Sequence, residues 1–141
     1  MRIFIASDHA GYELKEAIKK HYSNIYEWED LGTDSPESVD YPDFAHPLAE
    51  AVAQRAENRA VLICGTGNGV AMTANKHADV RAALCWNSEI AALARQHNNA
   101  NVLVLPARFI TADEAFNVVD SFFHTDFEGG RHERRVNKIN L

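Results

Sequence analysis

The feature that most constrains this chain is a pair of uninterrupted apolar runs, Val61-Leu62-Ile63 and Val102-Leu103-Val104-Leu105, each set between segments of helical period. A strand with one wet face alternates apolar and polar residues. A run without alternation suits a parallel strand covered on both faces. Three further β-rich segments complete the pattern, and the spacing predicts strands at Arg2–Ala6, Ile25–Glu29, Ala60–Cys64, Val80–Leu84 and Asn101–Leu105. Between and after them it predicts helices at Tyr12–His21, Phe44–Glu57, Gly69–Lys76, Ser88–Gln96 and Ala112–Phe123. Alternating strands and helices with short links predict an α/β fold with one five-stranded, doubly wound parallel sheet. The 141 residues suit one domain spanning 1–141, with no repeat or linker. After Gly129-Gly130 a helical pattern resumes, which predicts a basic helix at about 129–140.

Charge narrows the functional classes. A formal net charge of −6 argues against general binding of nucleic acid or of an anionic membrane, both of which need a basic surface. Against that background Arg131, Arg134, Arg135 and Lys138 cluster near the C-terminus with His132 among them, as a small anionic ligand or a plain solvated helix face would require. No apolar run approaches the length of a membrane span. The apolar start is too short for a secretory signal and is interrupted by Asp8 and His9, so a cytoplasmic location is expected. The two cysteines, Cys64 and Cys85, lie outside any CxxC pattern, and no Cys/His group has metal-ligand spacing. Neither a disulfide framework nor a metal site is expected.

In an open α/β sheet ligands bind beyond the carboxyl ends of the strands. After the first strand comes Ser7-Asp8-His9-Ala10-Gly11, a carboxylate and an imidazole just before a helix. Asp8 there is either a helix cap or a ligand for sugar hydroxyls, and His9 a candidate for an anion. After the third strand comes Cys64-Gly65-Thr66-Gly67-Asn68-Gly69, whose alternating glycines allow close backbone approach and turn N–H groups toward one point. The loop is neither a P-loop nor a dinucleotide fingerprint. Cys64, at the strand end beside a helix N-terminus, is a candidate reactive thiol, with a buried core cysteine as the other reading. Cys85 reads as core. Arg95-Gln96-His97-Asn98-Asn99-Ala100-Asn101 either ends a helix or offers a hydrogen-bonding wall for a polyol, with His97 as acid or base. Arg131 and Arg135 share a helix face on which two guanidinium groups can clamp a phosphate.

Together Asp8-His9-Ala10-Gly11, Tyr41-Pro42, Cys64 to Gly69, Asn75-Lys76, Arg81-Ala82, Arg95 to Asn101 and Glu128-Gly129-Gly130-Arg131-His132 with Arg135-Val136 resemble the ribose-5-phosphate isomerase B family. That family also includes galactose-6-phosphate and allose-6-phosphate isomerases. The resemblance runs over nearly the whole chain. It implies a Rossmann-like three-layer α/β/α fold and a homodimer or dimer of dimers with active sites at the subunit interface. It also implies no metal or organic cofactor, and a phosphorylated sugar as substrate. By motif, Cys64 would be the base moving a proton between C2 and C1, Thr66 would assist between the oxygens, and His97 with Asp8 would open the furanose ring. His9, Arg131 and Arg135 would bind phosphate, with Arg108 joining them. Tyr41, Asn98 and the loop Gly65, Gly67, Asn68, Gly69 would hold the sugar. Some members use a glutamate base and lack this cysteine, so the chain resembles the cysteine type. Pro106 stands where many relatives have glycine.

The expected reaction is the interconversion of ribose 5-phosphate and ribulose 5-phosphate, with isomerisation of a six-carbon sugar phosphate as the alternative. Two more distant readings share the sheet type. One is a flavodoxin-like nucleotide module, against which the absent Walker lysine stands. The other is a non-catalytic sugar-phosphate sensor.

Overall fold

The computed structural model describes all 141 residues. The elements run β1 (Arg2–Ser7), a 3-10 turn (His9–Gly11), α1 (Tyr12–His21), β2 (Glu27–Asp30), α2 (Pro42–Ala53), β3 (Ala60–Cys64), α3 (Asn68–Ala74), β4 (Ala82–Leu84), α4 (Ser88–Asn98), β5 (Val102–Pro106), α5 (Ala112–Phe123) and α6 (Arg131–Val136). The strands form one sheet in the order β2-β1-β3-β5-β4, and every adjacent pair is parallel.

The apolar runs explain the layers. Along each central strand successive side chains leave the sheet on opposite faces. Ile3, Ile5, Val61, Ile63, Leu103 and Leu105 meet buried residues of α1, α4 and α5, among them Ile18, Ala91, Val118 and Phe122. Ala6, Ala60, Leu62, Cys64, Val102 and Val104 meet α2 and α3 through Ala45, Leu48, Val52, Val70 and Ala74. Two apolar layers on one sheet require strands with no polar face, which is what β3 and β5 supply.

Elements differ from their expected bounds for local reasons. β2 starts at Glu27 because Ile25 and Tyr26 both donate their N–H to the Tyr22 carbonyl in the turn after α1. β4 starts at Ala82, because the Val80 N–H is taken by the His77 carbonyl and the Arg81 N–H by the Asn101 side chain. Pro42 opens α2, a position where a missing N–H costs nothing. Asn99, left-handed at φ 46°, closes α4 two residues later than expected. α6 covers Arg131–Val136, inside the stretch anticipated for a basic helix.

Candidate active site

The strand order decides where a crevice opens. β1 and β3 are neighbours, but the chain leaves β1 toward β2 through α1 on one face and leaves β3 toward β4 through α3 on the other. The two loops therefore diverge, and a cleft of about 380 Å³ lies beyond the carboxyl ends of these strands. Asp8, His9 and Ala10 line it from β1, Cys64, Gly65, Thr66 and Gly69 from β3, and Arg108 from beyond β5. Tyr41, just ahead of α2, closes one side.

Each side chain is held by identifiable contacts. The Asp8 N–H donates to the Ile63 carbonyl at 3.2 Å, and its Oδ1 accepts from the Gly11 N–H at 3.1 Å. Asp8 is thus a cap, and it also lines the cleft. The Val39 N–H donates to His9 Nδ1 at 3.2 Å. A ring whose Nδ1 accepts carries its neutral-state proton on Nε2, so His9 presents a donor. Beyond Pro106, which pairs with Cys64, the chain continues alongside β3: Ala107 N–H donates to the Cys64 carbonyl and Arg108 N–H to the Gly65 carbonyl, both at 2.9 Å. That lays the Arg108 side chain over Gly65, where a Cβ would stand 3.2 Å from its Cδ and Nε.

The glycine loop is shaped by close approach. Gly67, at φ 79°, precedes α3 in the left-handed region, and a Cβ on it would meet Leu84 Cδ1 at 2.4 Å. A Cβ on Gly69 would meet the Tyr41 ring at 2.5 Å, so the ring lies directly on the loop. Thr66 is exposed, and its Oγ1 accepts from the Asn68 N–H at 3.2 Å. Gly67 and Asn68 support the loop without lining the cleft. Cys64 is buried at the cleft floor, 5% exposed. Cys85 sits in the opposite layer, where burial pushes its thiol up to about 12.

A second group lies elsewhere. α4 starts beyond the carboxyl end of β4 and runs back about 16 Å, at 1.5 Å per residue, to the amino edge of the sheet. Its last turn carries His97 and Asn98, and Arg81, just before β4, donates Nε to the Asn99 carbonyl at 2.8 Å. α6 packs on α4 and presents Arg131 and Arg135, both exposed. The His97 ring stacks on His132, with centroids 4.3 Å apart and planes at 11°. Glu128 Oε1 lies 3.6 Å from His97 Nε2 and 3.8 Å from His132 Nε2. Burial, then the charges of His97 and Arg131, hold His132 below the ordinary histidine range against the pull of Glu128. The ligand atoms of these three side chains fall within 4.8 Å of one another, as a metal group requires. However, two nearly parallel rings direct their lone pairs side by side rather than at one ion. One chain therefore brings Asp8, His9, Tyr41, Cys64, Thr66 and Arg108 together, and leaves His97, Asn98, Arg131 and Arg135 at the other end of the sheet.

Comparison with known proteins shows the family. Residues 3–139 match the family described as Ribose/Galactose Isomerase. The chain belongs to that family. A probable ribose-5-phosphate isomerase B of Mycoplasma genitalium is 49% identical over 140 residues, covering 97% of this chain and 92% of the relative. The ribose-5-phosphate isomerase B of Escherichia coli is 41% identical over 139 residues, 98% and 93% of the two chains. The crystal structure of a Thermotoga maritima ribose 5-phosphate isomerase superposes with a TM-score of 0.95 at 51% identity, covering 99% of this chain and 97% of that one. The Mycoplasma genitalium enzyme with bound ribulose-5-phosphate gives 0.94 at 49% identity, with 98% and 93% covered. The Rossmann-like α/β/α fold with five parallel strands is therefore that of the ribose/galactose isomerases.

Two features of this ribose/galactose isomerase chain escaped the sequence reading. The Val39 amide that orients His9 carries no side-chain signal, because any residue but proline supplies it. Glu128 was visible within its motif, but only the turn at Gly129 and Gly130, with φ of 69° and 57°, brings its carboxylate to two histidines.

Proposed function

We propose that this chain is a ribose-5-phosphate isomerase that interconverts ribose 5-phosphate and ribulose 5-phosphate through an enediolate. The observation that carries the reading is its likeness, over nearly the whole of both chains, to the Mycoplasma genitalium enzyme bound to ribulose-5-phosphate. The chemistry of the cleft supports it. Opening a furanose ring requires a base on the anomeric hydroxyl and an acid on the ring oxygen. Asp8 takes the first proton and His97 supplies the second. Cys64, as thiolate, then removes the proton from C2, and the C1 oxygen takes up the charge. Thr66 passes a proton between the two oxygens, and Cys64 returns its proton to C1. Nothing is oxidised or reduced overall, so the reaction needs no redox cofactor. Of the loop, Gly65, Thr66 and Gly69 line the cleft and offer amides to the enediolate, where one such donor is worth about 3 kcal/mol.

The phosphate does not react; binding it orients the carbon centre. His9 and Arg108 contact it from the cleft side, Arg131 and Arg135 from the other group, and Tyr41 and Asn98 hold the hydroxyls. Since α4 keeps these two groups apart in one chain, the working site is assembled across a homodimer, alone or within a dimer of dimers, each subunit lending its α4–α6 end to its partner's cleft. Such an enzyme of pentose phosphate metabolism works in the cytoplasm, in keeping with two free cysteines and with no helix long and apolar enough to cross a membrane.

Proton NMR of ribose 5-phosphate with the protein in D₂O tests the reading. The expected result is ribulose 5-phosphate with deuterium at the exchanged carbon. Binding without conversion would favour a sensor, and conversion of allose or galactose 6-phosphate instead would move the substrate to six carbons.

A further inference from the structure

Glu128 is unused by the reaction just described, yet the fold places it with care. Its N–H donates to the Gln96 carbonyl at 3.1 Å, which fastens its backbone to the last turn of α4 beside His97. The left-handed Gly129 and Gly130 then fold the chain back, and the His132 N–H donates to the Gly129 carbonyl at 3.1 Å. One carboxylate oxygen ends almost equidistant from the Nε2 atoms of two stacked imidazoles. Other charges near this pair, Arg131 and Arg135 of α6, are positive, as is any proton on His97 itself. A single anion between two rings can balance one imidazolium. A proton on one stacked ring repels a second on the other. Glu128 at its edge and His132 on its face together restrict the His97 ring to one orientation.

We infer that Glu128 is a positioning residue for ring opening: its carboxylate fixes the orientation in which His97 meets the sugar, and the stacked His132 ring is the platform on which the imidazole lies. The inference rests on the functional reading above, in which His97 gives its proton to the ring oxygen. Glu128 touches neither sugar nor phosphate and acts through His97 alone.

The reaction allows ring opening to be separated from proton transfer at carbon. Ribulose 5-phosphate has its O5 phosphorylated and cannot close a furanose on C2, so exchange of its C1 hydrogen with D₂O needs no ring step. In Glu128→Gln, conversion of ribose 5-phosphate is expected to fall about tenfold in kcat with KM unchanged, while hydrogen exchange into ribulose 5-phosphate stays within about twofold of the wild type. In a His97→Gln background the same Glu128→Gln change is expected to cost nothing further, because its only route to the reaction is gone. Equal losses in conversion and exchange, no loss in either, or a full additional loss in the His97→Gln background would each overturn the inference. A wild type that neither converts nor exchanges would overturn the functional reading and carry this inference down with it.

Discussion

Cys64 ends the buried strand β3, Cys85 directly follows the edge strand β4, and the two meet opposite fates. Cys85 sits in the layer beneath α4 and α5, donates its S–H to the Ala83 carbonyl at 3.5 Å, and is held protonated by burial. Cys64 floors a cleft that also holds His9 and Arg108. Treatment with iodoacetamide near neutral pH is expected to add one adduct, at Cys64, with parallel loss of turnover, and ribose 5-phosphate should slow it. Peptide mass mapping checks this, and modification of Cys85 first would contradict the assignment. Cys64→Ala should abolish turnover while leaving the affinity for substrate within a few-fold, since the proposed phosphate contacts are His9 and arginines rather than the thiol. Retained turnover would remove Cys64 from the role of base. That Cys64 was the residue to watch could be read from its place between an apolar strand and a glycine loop. That Cys85 is core could be read as well, because no glycine-rich loop follows it.

At the scale of elements, the long connection from β2 to α2 is anchored by charge. Lys15 on α1 is 1% exposed, and its Nζ meets Asp30 Oδ2 at 2.5 Å and Glu16 Oε2 at 2.9 Å. Lys19 reaches Asp30 at 2.7 Å, and Asp30 Oδ1 accepts from the Gly32 N–H at 2.8 Å. Burial raises the Asp30 carboxyl, but Lys15, Lys19 and Gly32 outweigh it and hold it below the ordinary carboxylate range. A depressed folded-state value stabilises the fold above the unfolded value of about 4, and that stability is lost as pH falls through the folded value. Asp30→Asn should therefore lower stability by about 2–3 kcal/mol at pH 7, by leaving buried Lys15 with Glu16 alone, and should flatten the acid limb of Tm against pH. An unchanged Tm would show the cluster to be inert. Helical and strand periods made α1 and α5 legible to the residue, since both carry clear amphipathic patterns. The starts of β2 and β4 were not, because turn bonds to Tyr22 and His77 decided them.

At the scale of the whole molecule, the candidate site is divided between the two ends of one sheet. The motif set could be read in sequence as a single constellation. Its division could not, because only the direction of α4 reveals that His97 and Cys64 lie at opposite edges. If the proposed dimer completes each cleft, two severely impaired variants should rescue one another. Cys64→Ala and His97→Gln, mixed and allowed to exchange subunits, should recover about a quarter of wild-type activity, since half the dimers are mixed and each holds one intact site. Dilution below the dimer constant should remove activity and thermal stability together. Rescue absent after demonstrated exchange would place both residues in the same subunit's site.

The reach of α4 has a consequence for what kinds of genetic change this chain can absorb. Its 11 residues run from Ser88, after the β4 loop, through His97 to Asn98 without a break. Each residue added would advance the imidazole by about 1.5 Å and swing it through about 100°. Exchanges of letter on its outer surface, such as at Glu89, leave that register alone. A single codon gained or lost inside it moves His97, Asn98 and everything leaning on them out of phase. Variation along this helix should therefore be abundant in spelling and absent in length.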